Sequence, residues 1–168
     1  MNVPQTLDEI MAHALAIERE ATQRYNELAD IMETHNNHEV AKMFRTMAGY
    51  EAKHAQEIMA EMKWTEAPPL PDVTWPGFEA PETAPLDEVH YLMSPWHALQ
   101  LALAAEQRAQ EFFAELVRVA TTDSVRQAAV HMEAEEREHV ELVKSWIAKT
   151  PKPDRDWAHD PDPPRFVD

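Results

Sequence analysis

The stretch Val125 to Trp146, VRQAAVHMEAEEREHVELVKSW, decides the fold. Stepping through it by alternate threes and fours meets Val125, Ala129, Met132, Glu136, His139, Val143 and Trp146, the inward stripe of a helix in a bundle. An acid and an imidazole stand at mid-stripe. Taking an ionised carboxylate out of water costs several kcal/mol even after the protein relaxes, so Glu136 needs a partner.

The same phase recurs three times. One seam runs Leu7, Met11, Ala14, Glu18, Ala21, Tyr25, Leu28 and Met32, and a second runs Val40, Phe44, Met47, Glu51, His54 and Ile58. A third runs Leu99, Ala102, Glu106, Ala109, Phe113, Leu116 and Ala120. Each predicted helix therefore places one carboxylate on its core-facing seam. The halves of the chain also resemble each other, as an internal duplication would leave them. Glu18 and Glu106 are each followed seven residues on by a similar segment (YNELA, FAELV), while Met47 and Met132 each stand four residues before a seam glutamate.

Boundaries are marked by capping and proline. Thr6 with Glu9 opens helix one, which breaks at His35-Asn36-Asn37, and helix two runs from His38 to about Trp64. Ser94 with Pro95 opens helix three to about Ala120, and Asp123 or Ser124 opens helix four to about Lys149. Between the pairs, residues 65–93 carry six prolines and read as a crossover. The expected organisation is one all-α unit over residues 1–149 followed by a Pro-rich tail over 150–168. Two glycines against nine methionines, with few β-branched residues, agree with an all-helical chain.

Composition excludes several functions. A net charge of −16 repels phosphate backbones and anionic lipid, so neither nucleic acid nor a membrane is expected as a partner. No apolar run approaches the roughly 20 residues of a membrane span, and no basic, apolar leader opens the sequence, which predicts a cytoplasmic protein. With no cysteine, thiol catalysis and every thiolate-bound metal site are excluded, and any metal must be held by carboxylate and imidazole.

Glu-x-x-His occurs at Glu51–His54 and Glu136–His139. With 21 Glu and 9 His in 168 residues, chance placement alone yields about one match, so phase rather than the motif carries the argument. Four mid-helix carboxylates would repel one another, and no Lys or Arg lies on the seams to neutralise them. Two divalent ions would supply four positive charges. Residues at i and i+3 share a helical face, so each Glu-x-x-His can direct both side chains at one ion. Oxygen-rich ligation with two imidazoles suits Fe, Mn or Zn.

Glu18 to Tyr25, both Glu-x-x-His pairs and Glu106 together resemble the rubrerythrin branch of the ferritin-like superfamily, over about residues 6–149. The resemblance implies a ferritin-like four-helix bundle with its long crossover between helices two and three, holding two Fe ions. It further implies that Glu51 and Glu136 bridge the ions, that Glu18 and Glu106 are terminal ligands, and that His54 and His139 each cap one ion. The implied activity is peroxide or dioxygen reduction, or ferroxidase chemistry, fed by an external electron donor. Iron storage without turnover and a purely structural metal in an interaction module are the alternatives. A homodimer is expected, swapped or unswapped. Two features depart from the family: the rubredoxin module with its four cysteines is missing, and Ala109 stands where a further glutamate ligand would be.

Tyr25 is a candidate partner for a ligand carboxylate or a core tyrosine, and Thr22 and Gln110 are candidates for supporting contacts. His131 with Glu135 reads as surface. His13, His35, His38, His90, His97 and His159 read as ordinary, and the seam methionines as core filler. Trp64, Trp75 and Trp96 cluster around the crossover and are expected to pin it onto the bundle or onto a second subunit, and the tail with Trp157 and Phe166 either to dock or to remain disordered.

Overall fold

Four helices form as the seams require: α1 Leu7–Thr34, α2 His38–Glu61, α3 Pro95–Val119 and α4 Asp123–Lys149. The computed structural model describes residues 3–70, 89–154 and 156–161, and no strand occurs among them. Trp75 and Phe166 lie outside the described residues, as does most of the crossover.

Local chemistry sets the ends. Thr6 is extended and its hydroxyl accepts from the Glu9 N–H, while the Glu9 carboxylate reaches back to the Gln5 N–H. The α1–α2 turn passes through Asn36 at φ 58, a left-handed conformation that asparagine tolerates better than most residues. Helix α2 ends at Glu61 rather than Trp64 because Lys63 turns left-handed at φ 55. The N–H groups of Lys63 and Trp64 then bond back to the carbonyls of Ala60 and Met59. Ser94 and Pro95 open α3 as expected, and the Ser94 N–H donates to His97 Nδ1 at 3.2 Å.

Two apolar clusters fill the bundle. One joins the late part of α1 and early α2 to early α3 and late α4, through Leu28, Phe44, Leu99 and Val143. The other joins early α1 and late α2 to late α3 and early α4, through Ile10, Ile58, Phe113 and Val125. Thus α1 and α2 are antiparallel, as are α3 and α4, whereas α2 and α3 run parallel and their connection joins opposite ends of the bundle. This is the ferritin-like arrangement. Trp64 packs on the second cluster, while Trp96 sits at the other end beside His97. These two tryptophans flank the crossover at opposite ends of the bundle, and Trp64 pins its end onto the core. Leu7, a seam residue by phase, is 42% exposed because it is the first residue of its helix.

Tail residues dock at the Trp96 end. Trp157 packs on His97 with the rings tilted by 32° and centroids 3.7 Å apart and meets His90 edge-on, and the Tyr91 hydroxyl donates to Asp160.

Asn37 ties three segments together. Its Oδ1 accepts from the Val40 N–H to cap α2, and its Nδ2 donates to the Met93 carbonyl at 2.6 Å. Asn37→Ala is expected to cost about 1–2 kcal/mol, or a melting temperature lower by roughly 3–6 °C. Asn37→Asp keeps the acceptor but loses the donor and should fall between. Thermal unfolding followed by circular dichroism measures both.

Candidate metal centre

Between the two apolar clusters lies a polar layer. Glu18, Glu51, Glu106 and Glu136, one from each helix, are all 0% exposed, and His54 and His139 join them from α2 and α4. All six residues singled out from the sequence meet there. Their convergence follows from equal phase: each carboxylate stands at mid-helix on the stripe that packs inward.

The α3–α4 half gathers on His139, whose Nδ1 is 3.1 Å from Glu106 Oε2 and 3.7 Å from Glu136 Oε2. In the α1–α2 half, His54 Nδ1 lies 3.5 Å from Glu18 Oε1. The halves touch across the middle. His139 Nδ1 is 3.9 Å from Glu51 Oε1, and the two imidazoles stack with centroids 4.4 Å apart and Nε2 atoms 3.2 Å apart. Two sets of donor atoms lie close enough together to hold an ion, Glu51 with His54 and His139, and Glu106 with Glu136 and His139.

Polar satisfaction in this layer is poor. Both oxygens of Glu18 and of Glu51, and Nδ1 of His54, have no hydrogen-bond partner among the described residues. Such groups cost about 1–3 kcal/mol each when left unmet, and more when charged. No Lys or Arg among the described residues pairs with Glu18, Glu51 or Glu106. Burial, and then the charges of Glu106 and Glu18, push the Glu51 carboxyl well above the usual carboxylate range. Burial alone would hold His54 neutral, but Glu18 beside it outweighs burial and raises its pKa. Oxygen and imidazole donors with unmet lone pairs fit divalent metal, and cations there would remove the repulsion.

Surrounding contacts refine the sequence reading. The Tyr25 hydroxyl, wholly inside, donates to Glu106 Oε1 at 3.3 Å, crossing from α1 to α3. Thr22 does not reach a carboxylate, since its hydroxyl donates to the Glu18 backbone carbonyl at 2.8 Å. Gln110 is half-buried and donates to Glu133 at 3.0 Å, away from Glu106. Ala109 is buried and Glu111 lies on the exposed face, so neither brings a second α3 carboxylate to the layer. His131 is exposed as expected, but Glu135 is not simply surface: its side chain is 30% exposed.

A family model described as Rubrerythrin matches residues 9–144. No curated protein matches the chain. Among solved structures, an uncharacterized conserved protein from Magnetospirillum magnetotacticum MS-1 is 40% identical over 89% of this chain and 98% of its own, with a TM-score of 0.64. A bacterioferritin from Rhodobacter capsulatus, described with a metal-free dinuclear site and a haem iron, is 20% identical. It covers 89% of this chain and 88% of its own at a TM-score of 0.56, and this likeness carries the fold alone.

Proposed function

The chain belongs to the rubrerythrin family, and on that premise we propose that its buried polar layer is a di-iron centre that reduces peroxide or dioxygen with electrons from an external donor. The observation that carries this reading is the set of wholly buried carboxylates, of which Glu18 and Glu51 have no hydrogen-bond partner among the described residues. A layer so costly in the metal-free chain is explained by the cations it would hold.

Glu51 and Glu136 would bridge the ions, with Glu18 and Glu106 as terminal ligands and His54 and His139 capping one ion each. Bound iron would supply one electron from each ion, the pair that with two protons takes peroxide to water or dioxygen to peroxide. The protein contributes position and dryness. Tyr25 holds Glu106 in orientation and keeps one of its lone pairs occupied. The apolar clusters on either side exclude bulk water, which strengthens every charge interaction within the layer. Only the imidazole edges approach solvent, with side-chain exposures of 16% for His54 and 11% for His139, so a small oxidant would arrive on that side. These 168 residues hold no cysteine for a rubredoxin-type site, so in this proposal the electrons reach the layer from a donor outside them.

Stopped-flow mixing of the Fe(II)-loaded protein with peroxide, and separately with dioxygen, tests the proposal. We expect oxidation of two irons per chain, followed by many further cycles when a reductant is present. A single oxidation, with ferric iron then accumulating beyond two per chain, would favour storage instead.

A further inference from the structure

The two hairpins bring equal ligands to the layer but do not hold them equally. Glu106, Glu136 and His139 make a three-donor set drawn from α3 and α4 alone, one atom of each lying within 4.8 Å of the others, and all three side chains are buried. Among the described residues no such set comes from α1 and α2 alone. Glu51 and His54 reach three donors only by borrowing His139, and Glu18 stands in neither set. Glu106 is also held by its surroundings, its Oε1 accepting from Tyr25 and its Oε2 lying 3.1 Å from His139 Nδ1. Both oxygens of Glu18 and of Glu51 have no hydrogen-bond partner among the described residues.

The internal repeat locates a second cause. Beside the layer, Gln110 Nε2 donates to Glu133 Oε1 at 3.0 Å and so joins α3 to α4, while Arg137 grips the same carboxylate with Nε and Nη2. Gln110 stands one turn after Glu106, and Glu133 and Arg137 flank Glu136 on α4. Glu106 follows Glu18 by 88 positions and Glu136 follows Glu51 by 85, so the counterparts of the three are Thr22, Ala48 and Ala52. The Thr22 hydroxyl bonds to its own helix, and the alanine side chains have nothing to donate or accept. An open groove lined in part by Thr22, Ala52 and Ala55 therefore stands where the second hairpin has its clamp. The first hairpin's own tie, Arg45 Nη1 to Asn26 Oδ1 at 2.9 Å, lies about two turns from Glu18 and Glu51.

Ligands that are already gathered, and fixed by the contacts behind them, lose less freedom when an ion arrives. We propose that the α3–α4 hairpin takes the first ion and holds it more tightly than the α1–α2 hairpin holds the second, with Gln110, Glu133 and Arg137 as the positioning residues that fix Glu106, Glu136 and His139 in place. The inference rests on the reading of the buried layer as a metal centre.

Equilibrium titration of the full-length, metal-stripped protein with Co(II), followed by calorimetry and visible absorption, is the test. Wild-type protein should bind in two steps, the first at least about tenfold tighter than the second. His54→Ala should keep the tight step and lose the weak one, whereas His139→Ala should lose the tight step. Gln110→Ala should weaken the first step about tenfold and leave the second unchanged. Gln110→Lys, still able to donate to Glu133, should restore the first step, and Thr22→Ala, at the counterpart position, should change neither. Equal affinity for both ions, a tight step lost in His54→Ala, or a Gln110→Ala variant that weakens both steps alike or neither overturns the inference and leaves the metal centre standing. A wild-type protein that takes up no Co(II) overturns both.

Discussion

Stripping metal from the protein is expected to lower its melting temperature at pH 7.5 by roughly 8–16 °C, which corresponds to about 4 kcal/mol for an ion held at a thousand times its Kd. The cause is the buried layer: Glu18, Glu51, Glu106 and Glu136 are fully enclosed, and cations would supply the compensation that no hydrogen-bond donor among the described residues gives Glu18 or Glu51. The metal-free protein should also respond to pH in a particular direction. Glu51 and His54 both have folded pKa values above their ordinary ones of 4.5 and 6.5. Each therefore contributes stability that is complete below its ordinary value and is lost as pH rises through the folded value. His13 and His97, held neutral chiefly by burial, pull the other way as pH rises through the range just below 6.5. Above pH 6.5 the metal-free protein should become steadily less stable, whereas the metal-loaded protein, whose carboxylates are neutralised by cations, should not. Calorimetric scans of both forms between pH 6.5 and 8.5 measure the divergence. Coincident melting of the two forms would mean that the layer holds no metal.

Glu51→Gln should move affinity and stability in opposite directions. Glu51 lies among the other three carboxylates, whose charges all act on it, and its oxygen approaches His139 across the bundle. If it bridges two ions, its amide should weaken both by at least about 100-fold, beyond the 10- to 100-fold typical of a residue that only supports a ligand. In the metal-free state the same change deletes a buried charge at constant shape. It should stabilise the fold by about 1–3 kcal/mol. Isothermal titration with Co(II) and urea unfolding of the stripped protein read the two effects separately. Loss of one ion with the other unaffected would show that Glu51 is a terminal ligand.

Helical phase makes the core and the polar layer legible in the sequence, because a residue's face in a bundle follows from its register alone. What phase does not encode is reach and partnership between helices. Thr22 and Gln110 lie one turn from Glu18 and Glu106, yet one side chain turns back to its own backbone and the other turns out to Glu133. Tyr25 shares a seam with Glu18, but its hydroxyl belongs to Glu106, 81 positions away, a contact across the bundle that only the assembly of the helices determines. Helix α2 stops short of Trp64 because a left-handed lysine is a departure from propensity, and nothing in the composition of that turn signals it. Trp64 and Trp96 look close in a chain interrupted by prolines, and the parallel course of α2 and α3 separates them. Docking of the tail through Trp157 had its signal in the aromatic and imidazole residues, but nothing in their spacing named His90 and His97 as the receptors.

The six clustered side chains divide evenly, with Glu18, Glu51 and His54 on the first hairpin and Glu106, Glu136 and His139 on the second. Under the proposed ligand set neither hairpin completes the two-ion site by itself. Expressed as two polypeptides, residues 1–70 and 89–168, the halves would have ions in place of a peptide tether as their common fastening. Free metal concentration would then set how much of the pair is assembled, turning a question of chain connectivity into one of metal supply.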